Sequence, residues 1–387
     1  MKPIDRRTFF RLGGALGAAT LVETTIPVRA EAAVSEADKK KILNYHPGMP
    51  YRRLGDTDVF LSVIAMGGLV MNDHGESHHY AIDHGCNLVH ISTGYLGGKS
   101  IKVLGEVMKT KRDKVYIALK DNFFSDADYK AGKLDKIDKV LKTLNTDHVD
   151  FLMFNRHKAD KAANPYLREA FEKLREQGKV RFMGLTCHSD VKAVMQAAID
   201  SGFYDLLNPV LNQPSLVAID AQLNAASAKK IGVMGMKTMK GLGNKRDLEA
   251  AYIKKVLAHP GVTNIVKGIG SREQFDVYLG AASAALSLNE DTELYRHAQT
   301  NRTENCMMCD ECHKVCPHGI EISVVLRCID YYLGEQRDTL TARETYRELH
   351  PDQRWNIACA DCRLCETACP NDIKIVQRLE NARFAFA

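Results

Sequence analysis

Two copies of one cysteine spacing restrict how the C-terminal part of this chain can fold. The stretches "CMMCDECHKVCP" and "CADCRLCETACP", which begin at Cys306 and Cys359, both follow the pattern C-x2-C-x2-C-x3-C-P. Three cysteines at three-residue steps place their sulfur atoms around one small volume, and such runs typically hold three corners of a [4Fe–4S] cluster. The fourth cysteine, which precedes a proline, usually binds the other cluster where two are present.

This spacing predicts two crossed sets of ligands. We expect one cluster on Cys306, Cys309, Cys312 and Cys369, and the other on Cys359, Cys362, Cys365 and Cys316. Zinc and disulfides are the alternatives. Tetrathiolate zinc usually uses two separated C-x2-C pairs, and disulfides do not require a repeated spacing. Three further cysteines stand apart and are typical of small buried side chains, namely Cys86, Cys187 and Cys328.

The segment between the two runs predicts an α-helical module. It contains "ISVVLRCIDYYLGE" and "TLTARETYRELH", both with helical periodicity. This spacer resembles the α-helical ferredoxin module of respiratory iron–sulfur subunits, whereas a compact bacterial ferredoxin joins its runs by a shorter segment. The resemblance implies a small α-helical ferredoxin-like iron–sulfur domain over 291–387 that passes single electrons.

The other end of the chain predicts where the protein works. Arg6 and Arg7 precede a modestly apolar run and a small-residue cleavage site near Ala30. This arrangement resembles a twin-arginine export signal, a route that moves folded proteins. Because clusters are assembled in the reducing cytoplasm, a protein that carries them outward must fold around them first. We predict a signal peptide over 1–32, a linker over 33–50, and a periplasmic protein without a membrane span after cleavage. An ordinary disordered or helical N-terminus and an uncleaved anchor are the alternatives.

Between these ends, alternating strands and helices predict a barrel. Eight short apolar runs occur in the order "VFLSVIAMG", "NLVHIS", "VYIALK", "HVDFLMFN", "VRFMGLTCH", "DLLNPVLN", "IGVMGMKT" and "VTNIVKGI". Amphipathic stretches such as "LREAFEKLREQG" separate most of them. Eight such units over 51–290 predict an α/β fold of the (β/α)8 TIM barrel type. A doubly wound open sheet is the alternative, but no G-x-G-x-x-G follows the first strand.

Polar residues are expected at the carboxyl ends of the strands, where a barrel of this kind carries its chemistry. They are His90, Tyr95, Lys120, Asn155, His157, His188, Asn212 and Lys237. A lysine that closes the apolar run "VYIAL" is costly unless a partner or a substrate meets it. For His157 and Lys237, a solvated loop position is the alternative to a functional role.

Five motifs of this region resemble the successive signatures of aldo-keto reductases. In order they are "YRRLGDTDVFLSVIAMGG", "AIDHGCNLVHISTGY", "VYIALK", "EQGKVRFMGLT" and "GIGSREQ". The resemblance implies NADPH-dependent reduction of a carbonyl, in which a tyrosine donates the proton and a lysine lowers the pKa of that tyrosine. In the family an aspartate pairs with the lysine and a histidine orients the carbonyl. Together with the cysteine runs, the chain resembles the branch of the family that carries a ferredoxin domain.

Half of this catalytic tetrad differs here. Tyr95 and Lys120 match the tyrosine and lysine positions, whereas His90 stands at the aspartate position and Asn155 at the histidine position. Asn155 can still donate a hydrogen bond to a carbonyl oxygen, and His90 can act as an acid because an unperturbed histidine titrates near neutrality. We therefore predict Tyr95, Lys120, His90 and Asn155 as the catalytic residues of an altered site.

The residues that hold the dinucleotide in the family have also changed. The Ser-Asn pair that usually follows the fifth strand is Cys187-His188 here, while Arg272 and Gln274 match the phosphate and adenine region. A solvated helix-start arginine is the alternative for Arg272. We predict cofactor-binding roles for His188, Asn212, Lys237, Arg272 and Gln274. The periplasm holds no NADPH pool, which argues against NADPH as the cofactor.

Three functions agree with these features. The first is an exported aldo-keto reductase-like oxidoreductase that passes single electrons through two clusters to or from the barrel mouth. The second is an NADPH-dependent carbonyl reductase, and the third is a non-catalytic electron carrier with the barrel as scaffold. The first requires a redox partner protein or a quinone-linked donor, and a small-molecule substrate. A dispersed net charge of +5 argues against nucleic acid as a partner.

Overall fold

A computed structural model describes residues 25–26, 34–71, 74–243, 245–333, 339–349 and 359–386 of the 387-residue chain. The arginine pair and almost all of the predicted signal peptide lie outside the described residues. Within the described ranges, no helix combines the length and the apolar character that crossing a membrane requires.

Eight parallel strands close into a barrel in which neighbours in the chain are also neighbours in the sheet. The strands are β1 (Ile64–Gly67), β2 (Leu88–Ser92), β3 (Tyr116–Asp121), β4 (Val149–Asn155), β5 (Val180–Cys187), β6 (Leu206–Pro209), β7 (Gly232–Gly235) and β8 (Asn264–Lys267). The barrel closes where Ile265 of β8 lies opposite Ile64 of β1. The predicted (β/α)8 TIM barrel is confirmed, with one barrel strand in each of the eight runs.

The first of those runs contains two strands, which the sequence does not separate. Phe60–Ser62 pairs antiparallel with Tyr51–Arg53 in a hairpin, and only β1 enters the barrel. Asn87 marks the division, because its side chain accepts the Ser62 N–H at 2.8 Å and donates to the Phe60 carbonyl at 2.9 Å. Hairpin side chains then pack against residues at the amino ends of the strands and cover that end of the barrel.

Helices surround the barrel and continue beyond it. Those of the barrel region are α1 (Glu36–Lys39), α2 (Glu76–Asp83), α3 (Lys99–Lys111), α4 (Asp126–Ala131), α5 (Lys136–Thr143), α6 (Ala159–Ala162), α7 (Pro165–Glu176), α8 (Val191–Ser201), α9 (Gln213–Ala218), α10 (Asp220–Ala228), α11 (Glu249–Leu257), α12 (Arg272–Ala282) and α13 (Leu288–Asn301). The five that follow, called the C-terminal helices below, are α14 (Glu311–Lys314), α15 (Ile322–Leu333), α16 (Thr339–Glu348), α17 (Leu364–Thr367) and α18 (Ile375–Phe386).

Helix α7 shows how the sequence specifies these elements. The Asn164 side chain caps its amino end by accepting the Tyr166 N–H, and Pro165 occupies the first helical position, where no donor is needed. The buried side chains recur at helical spacing and form one stripe toward the barrel, namely Leu167, Ala170, Phe171 and Leu174.

Helix α13 crosses the predicted domain boundary at 290. Its first turn pairs with α11 of the barrel, through Lys254 with Glu290 and Lys255 with Asp291, each at 2.6 Å. The helix therefore packs with the barrel, and the C-terminal helices begin after it.

A buried carboxylate joins three strands near the amino end of the barrel. Asp150 of β4 is 1% exposed, and its two oxygens contact Arg112 at 3.1 Å and Arg181 at 2.7 Å. One oxygen also accepts the Ile117 N–H at 2.9 Å.

We expect Asp150→Ala to lower the free energy of unfolding by about 3 kcal/mol, because removal of one partner leaves a buried donor and two cations unpaired. Urea denaturation measures the change. Asp147→Ala is the matched control, since the Asp147 side chain is 92% exposed and its pairing with His148 contributes little. Equal losses in the two variants would contradict this prediction.

Candidate active site at the barrel mouth

The carboxyl ends of the strands, called the barrel mouth below, bring three of the four predicted catalytic residues together. The Lys120 ammonium lies 5.6 Å from the centre of the Tyr95 ring. The rings of His90 and Tyr95 are 6.2 Å apart. Lys120 sits near the end of β3, His90 lies within β2, and Tyr95 stands in the short helical turn Tyr95–Gly98 that follows β2. Asn155 ends β4, and its buried side-chain oxygen has no hydrogen-bond partner within the described ranges.

Burial determines the charge of these groups. It lowers the pKa of Lys120 to about 8, so the lysine titrates close to neutrality. Burial, together with the nearby charge of Lys120, lowers the pKa of His90 to about 3. His90 is therefore neutral at physiological pH, and its Nε2 has no hydrogen-bond partner in the part of the chain that the structure describes. A neutral imidazole cannot replace the carboxylate that accompanies the lysine in the family, nor does it act as an acid at neutral pH.

The carboxylate that interacts with Lys120 comes from a distant part of the chain. Glu348, at the end of α16, raises the pKa of Lys120 and so favours the ammonium form. Burial raises the pKa of Glu348 itself, while the charges of Lys120 and Arg327 oppose that rise. Glu348 of the C-terminal helices thus supplies a negative charge near Lys120, whereas His90 stands at the position where the family has an aspartate.

Helix α15 brings two more side chains to the same place. Arg327 is 4% exposed, and its charge acts on Lys120. Tyr331, one turn later, lies under the Lys237 ammonium, which is 4.1 Å from the centre of its ring. Burial favours the neutral phenol of Tyr331, but the charges of Lys237 and Arg327 outweigh that effect and lower its pKa to about 8. Perturbed groups gathered in one place are typical of functional sites.

Two histidines complete the barrel mouth. The rings of His157 and His188 are 5.4 Å apart, and the His188 backbone N–H donates to Nδ1 of His157 at 3.2 Å. Burial lowers the pKa of both well below the usual value, so both are neutral. His188 is 6% exposed, and neither of its ring nitrogens has a hydrogen-bond partner among the described residues. His157 is therefore part of the site and not a solvated loop residue.

Lys237 also belongs to the mouth. Its backbone adopts φ 55°, which is left-handed and uncommon for a residue with a side chain. Burial lowers the pKa of Lys237, and the phenol oxygen of Tyr331 partly opposes this through its charge and a hydrogen bond. Strained backbone of this kind is tolerated mainly where function requires it.

The other residues predicted to bind a cofactor lie apart from this cluster or are engaged elsewhere. The Asn212 side chain caps α9 by accepting the Ser215 N–H at 3.2 Å. Gln274 is held within its own helix region, where its amide accepts the Gly270 N–H and donates to the Tyr278 hydroxyl. Arg272 stacks over the Tyr80 ring at 5.6 Å. The observed contacts of these three side chains are structural.

The eight cysteines of the two runs lie in two groups. We call Cys306, Cys309, Cys312 and Cys369 the first set, because together they line one cavity. We call the other four the second set, and within it Cys365 interacts electrostatically with Cys359 and Cys316. The last cysteine of each run therefore lies with the first cysteines of the other. Helices α14 and α17, one from each run, pack together and hold the two runs side by side.

The backbone of the two runs repeats the same unusual conformation. Met308 and Asp310 have φ of 58° and 66°, and Asp361 and Arg363, at the corresponding positions, have 52° and 59°. Left-handed residues within a right-handed stretch turn successive N–H groups toward one side, which creates concave sites for anions, including iron–sulfur clusters. Four thiolates around a cluster carry net negative charge, so this backbone suits them.

The chemistry of the first set fits a cubane cluster. All eleven cysteines are described and none is bridged. In the described part of the chain, no three His, Cys, Asp or Glu side chains are close enough for a single metal ion. Four cysteines that line one cavity present the four thiolates that a [4Fe–4S] cluster requires.

The cysteine cavity and the barrel mouth share a wall. Leu326 of α15 lines the cavity of the first set, and the next residue, Arg327, faces the charges of the mouth. On the barrel side, Lys240 forms an ion pair with Asp330 of α15 at 2.6 Å, and its charge also acts on Cys306. A second pair, Lys158 with Glu321, fastens the start of α15 at 2.8 Å.

Sequence reasoning missed the contribution of the C-terminal helices to the mouth. Arg327 and Tyr331 had no assigned role, although one signal was available. The segment "ISVVLRCIDYYL" is apolar except for a few residues, and every residue from Ile322 to Ile329 is buried. An arginine in such a stretch requires a partner, but the sequence alone does not show that this partner region lies in the barrel.

Comparisons with known proteins agree with the barrel and end before the cysteine runs. The Aldo/keto reductase family model matches residues 66–303. No curated protein matches the chain. PA4992 from Pseudomonas aeruginosa, a protein assigned to the aldo-keto reductases, is 20% identical with a TM-score of 0.51, over 62% of this chain and 97% of that one. The holo form of aldo-keto reductase AKR11C1 from Bacillus halodurans is 17% identical with a TM-score of 0.55, over 64% and 96%. At these identities the likeness shows the fold alone.

Proposed function

The chain belongs to the aldo/keto reductase family, and we propose that it is an exported oxidoreductase that uses two [4Fe–4S] clusters to exchange single electrons with a small molecule at the barrel mouth. The twin-arginine-like segment supports export of the folded protein. A redox partner protein or a quinone-linked donor supplies or receives the electrons. The altered positions His90 and Asn155 and the Cys187-His188 pair distinguish this site from that of an NADPH-dependent relative.

The position of α15 is the observation that carries this proposal. One side of the helix lines the cavity of the first cysteine set, and the adjacent side places Arg327 and Tyr331 among the charges of the mouth. An α-helix with its side chains is about 10 Å across. Because electron tunnelling weakens steeply with distance, a wall one helix thick favours transfer between the two sites.

The residues of the mouth suit proton transfer. A bound cluster supplies or accepts one electron at a time, and a carbonyl that gains electrons needs protons. Lys120 and Tyr331 both titrate near pH 8, so each can hold a proton at neutral pH and release it to an oxygen that becomes basic. Asn155 can orient such an oxygen with its amide. The neutral rings of His157 and His188 provide further hydrogen-bonding groups without added charge.

We expect anaerobically purified protein to contain about eight iron and eight sulfide atoms per chain. Dithionite should generate the electron paramagnetic resonance signal of reduced clusters, whereas NADPH should leave the clusters oxidised. A parallel sample purified in air should lose iron progressively. Colourless anaerobic protein, or protein that holds zinc or disulfides at these cysteines, would overturn the proposal.

NADPH-dependent carbonyl reduction is the second candidate, and one contact favours it. The Lys120 ammonium remains close to the Tyr95 ring at 5.6 Å, as the family chemistry requires. This candidate predicts tight binding of NADPH and oxidation of NADPH by an aldehyde without participation of the clusters. Reduction of the clusters by NADPH would combine the two candidates.

A further inference from the structure

The barrel mouth contains more buried positive charge than negative charge. Lys120 and Lys237 come from the barrel, and Arg327 comes from α15. The charge of Arg327 acts on the pKa of Lys237 and Tyr331 as well as on that of Lys120. The carboxylate of Glu348 opposes two of these cations, Lys120 and Arg327. Lys240, the remaining cation of this region, already forms an ion pair with Asp330.

Two of the buried side chains have polar atoms without a hydrogen-bond partner among the residues that the structure describes. Arg327 is 4% exposed, yet its Nε and Nη1 lack hydrogen-bond partners. His188 is 6% exposed, and both of its ring nitrogens lack them. Buried guanidinium donors without hydrogen-bond acceptors are costly. Such a group is retained where a ligand completes its interactions.

The donors in the mouth match an anionic oxygen group. A guanidinium presents parallel N–H donors whose spacing matches the two oxygens of a carboxylate or phosphate. Lys237 adds an ammonium, and neutral His188 adds one N–H donor. Lys120 and Tyr331, which hold protons near neutral pH, stand beside these groups.

We propose that the barrel mouth binds a substrate through a carboxylate or phosphate group held by Arg327, Lys237 and His188. The inference rests on the proposed function because it names the class of that function's substrate, while binding itself is measured separately. One half of the site comes from the barrel and the other from the C-terminal helices, so the anion joins the two. The group that reacts then lies next to Lys120 and Tyr331.

Isothermal titration tests this inference on the cluster-loaded protein, with acetate, malonate, inorganic phosphate and NADPH as probes in chloride buffers of matched ionic strength. We expect acetate, malonate or phosphate to bind. Arg327→Met should weaken that binding about tenfold or more, since hydrogen bonds to charged groups are among the stronger ones. Lys237→Met should weaken it comparably and provides an independent variant if the first does not fold.

Arg302→Met is the matched control, because Arg302 is an exposed arginine that pairs with Asp372 away from the mouth. It should bind the probes like the unaltered protein. Absence of binding by all three small anions, or equal binding in Arg327→Met, would overturn the inference. Binding of NADPH but of none of the small anions, if it depended on Arg327, would also overturn the inference. The anionic group held by Arg327 would then be a phosphate of the dinucleotide and not part of a substrate. Iron content is measured in the same samples, so that the two proposals fail separately. If the iron content is normal but no anion binds, the anion site is refuted and the proposed function stands. If iron is missing, the proposed function is refuted and the anion site is not.

Discussion

Replacing Cys369 by alanine is expected to remove the cluster of the first cysteine run, although Cys369 belongs to the second run in the sequence. The reason is geometric, since Cys369 lines one cavity with Cys306, Cys309 and Cys312. Iron content should fall from about eight to about four atoms per chain, and one of two reduced-cluster signals should disappear. Metal analysis and electron paramagnetic resonance of anaerobic protein measure these changes.

Pairs of substitutions distinguish crossed from local ligation. Cys309→Ala combined with Cys369→Ala should still leave about four iron atoms, because both residues serve one cluster. Cys365→Ala combined with Cys369→Ala should leave almost none. Local ligation predicts the opposite result for each pair. Cys328→Ala is the control and should retain all the iron, since the Cys328 thiol is buried in α15 and belongs to neither set.

Replacing Lys120 by methionine is expected to slow reoxidation of the reduced clusters by a carbonyl substrate about a hundredfold or more. Methionine fills a similar volume but neither carries a charge nor transfers a proton. Anaerobic stopped-flow absorbance measures the rate, with pyruvate as a probe that combines a carbonyl with the anionic group inferred above. Lys240→Met is a poor comparison because it leaves Asp330 unpaired, so Lys109→Met, an exposed lysine on α3, serves as the control.

The pH dependence of this rate follows from the pKa of Lys120. The ammonium form predominates below pH 8 and is lost as the pH rises through about 8, so a rate that depends on it should fall above that pH. Tyr331 loses its proton in the same range. Both groups are surrounded by the charges of Arg327, Lys237 and Glu348. The decrease in rate with pH should therefore reflect the coupled titration of Lys120 and Tyr331 and not that of one residue. A flat profile from pH 6 to about 9 would exclude both residues as the source of the proton.

Lys120→Met should also raise the free energy of unfolding by about 1 to 3 kcal/mol at pH 7. The folded-state pKa of Lys120 is lowered from 10.5 to about 8, so burial of the charged form costs stability below pH 8. That cost is relieved as the pH rises from 8 toward 10.5, and the rise in stability over this window should be absent in the variant. A slower rate together with higher stability would identify Lys120 as a functional residue, whereas loss of both would indicate a scaffold role.

The same assay separates the proposed function from its alternatives. If NADPH is the reductant, Tyr95→Phe should abolish NADPH oxidation while Cys369→Ala should not affect it. If electrons pass through the clusters, Cys369→Ala should abolish substrate reduction and NADPH should support none. If the barrel is only a scaffold, Tyr95→Phe and Lys120→Met should leave electron transfer to a partner unchanged.

Much of the barrel could be predicted because its signals are local. Each β-branched run is flanked by amphipathic segments, and a strand is recognised by the spacing of residues that are close in the chain. The one error, the strand hidden at Phe60–Ser62, arose because a hairpin strand and β1 follow each other without a turn signal. The candidates Tyr95 and Lys120 were recognised for the same reason, since Tyr95 follows β2 and Lys120 lies near the end of β3. His90 lies within β2 and was recognised from the resemblance to the family motif.

The amino-acid sequence by itself determined the eight strand–helix units, the residues at their carboxyl ends, and the repeated cysteine spacing, because each of these is written in neighbouring residues. Only the tertiary structure decided that Arg327, Tyr331 and Glu348 enter the barrel mouth and that one helix separates the cysteine cavity from Lys120. These relations join segments two hundred residues apart, and their energies come from buried charges whose partners have no fixed spacing in the chain.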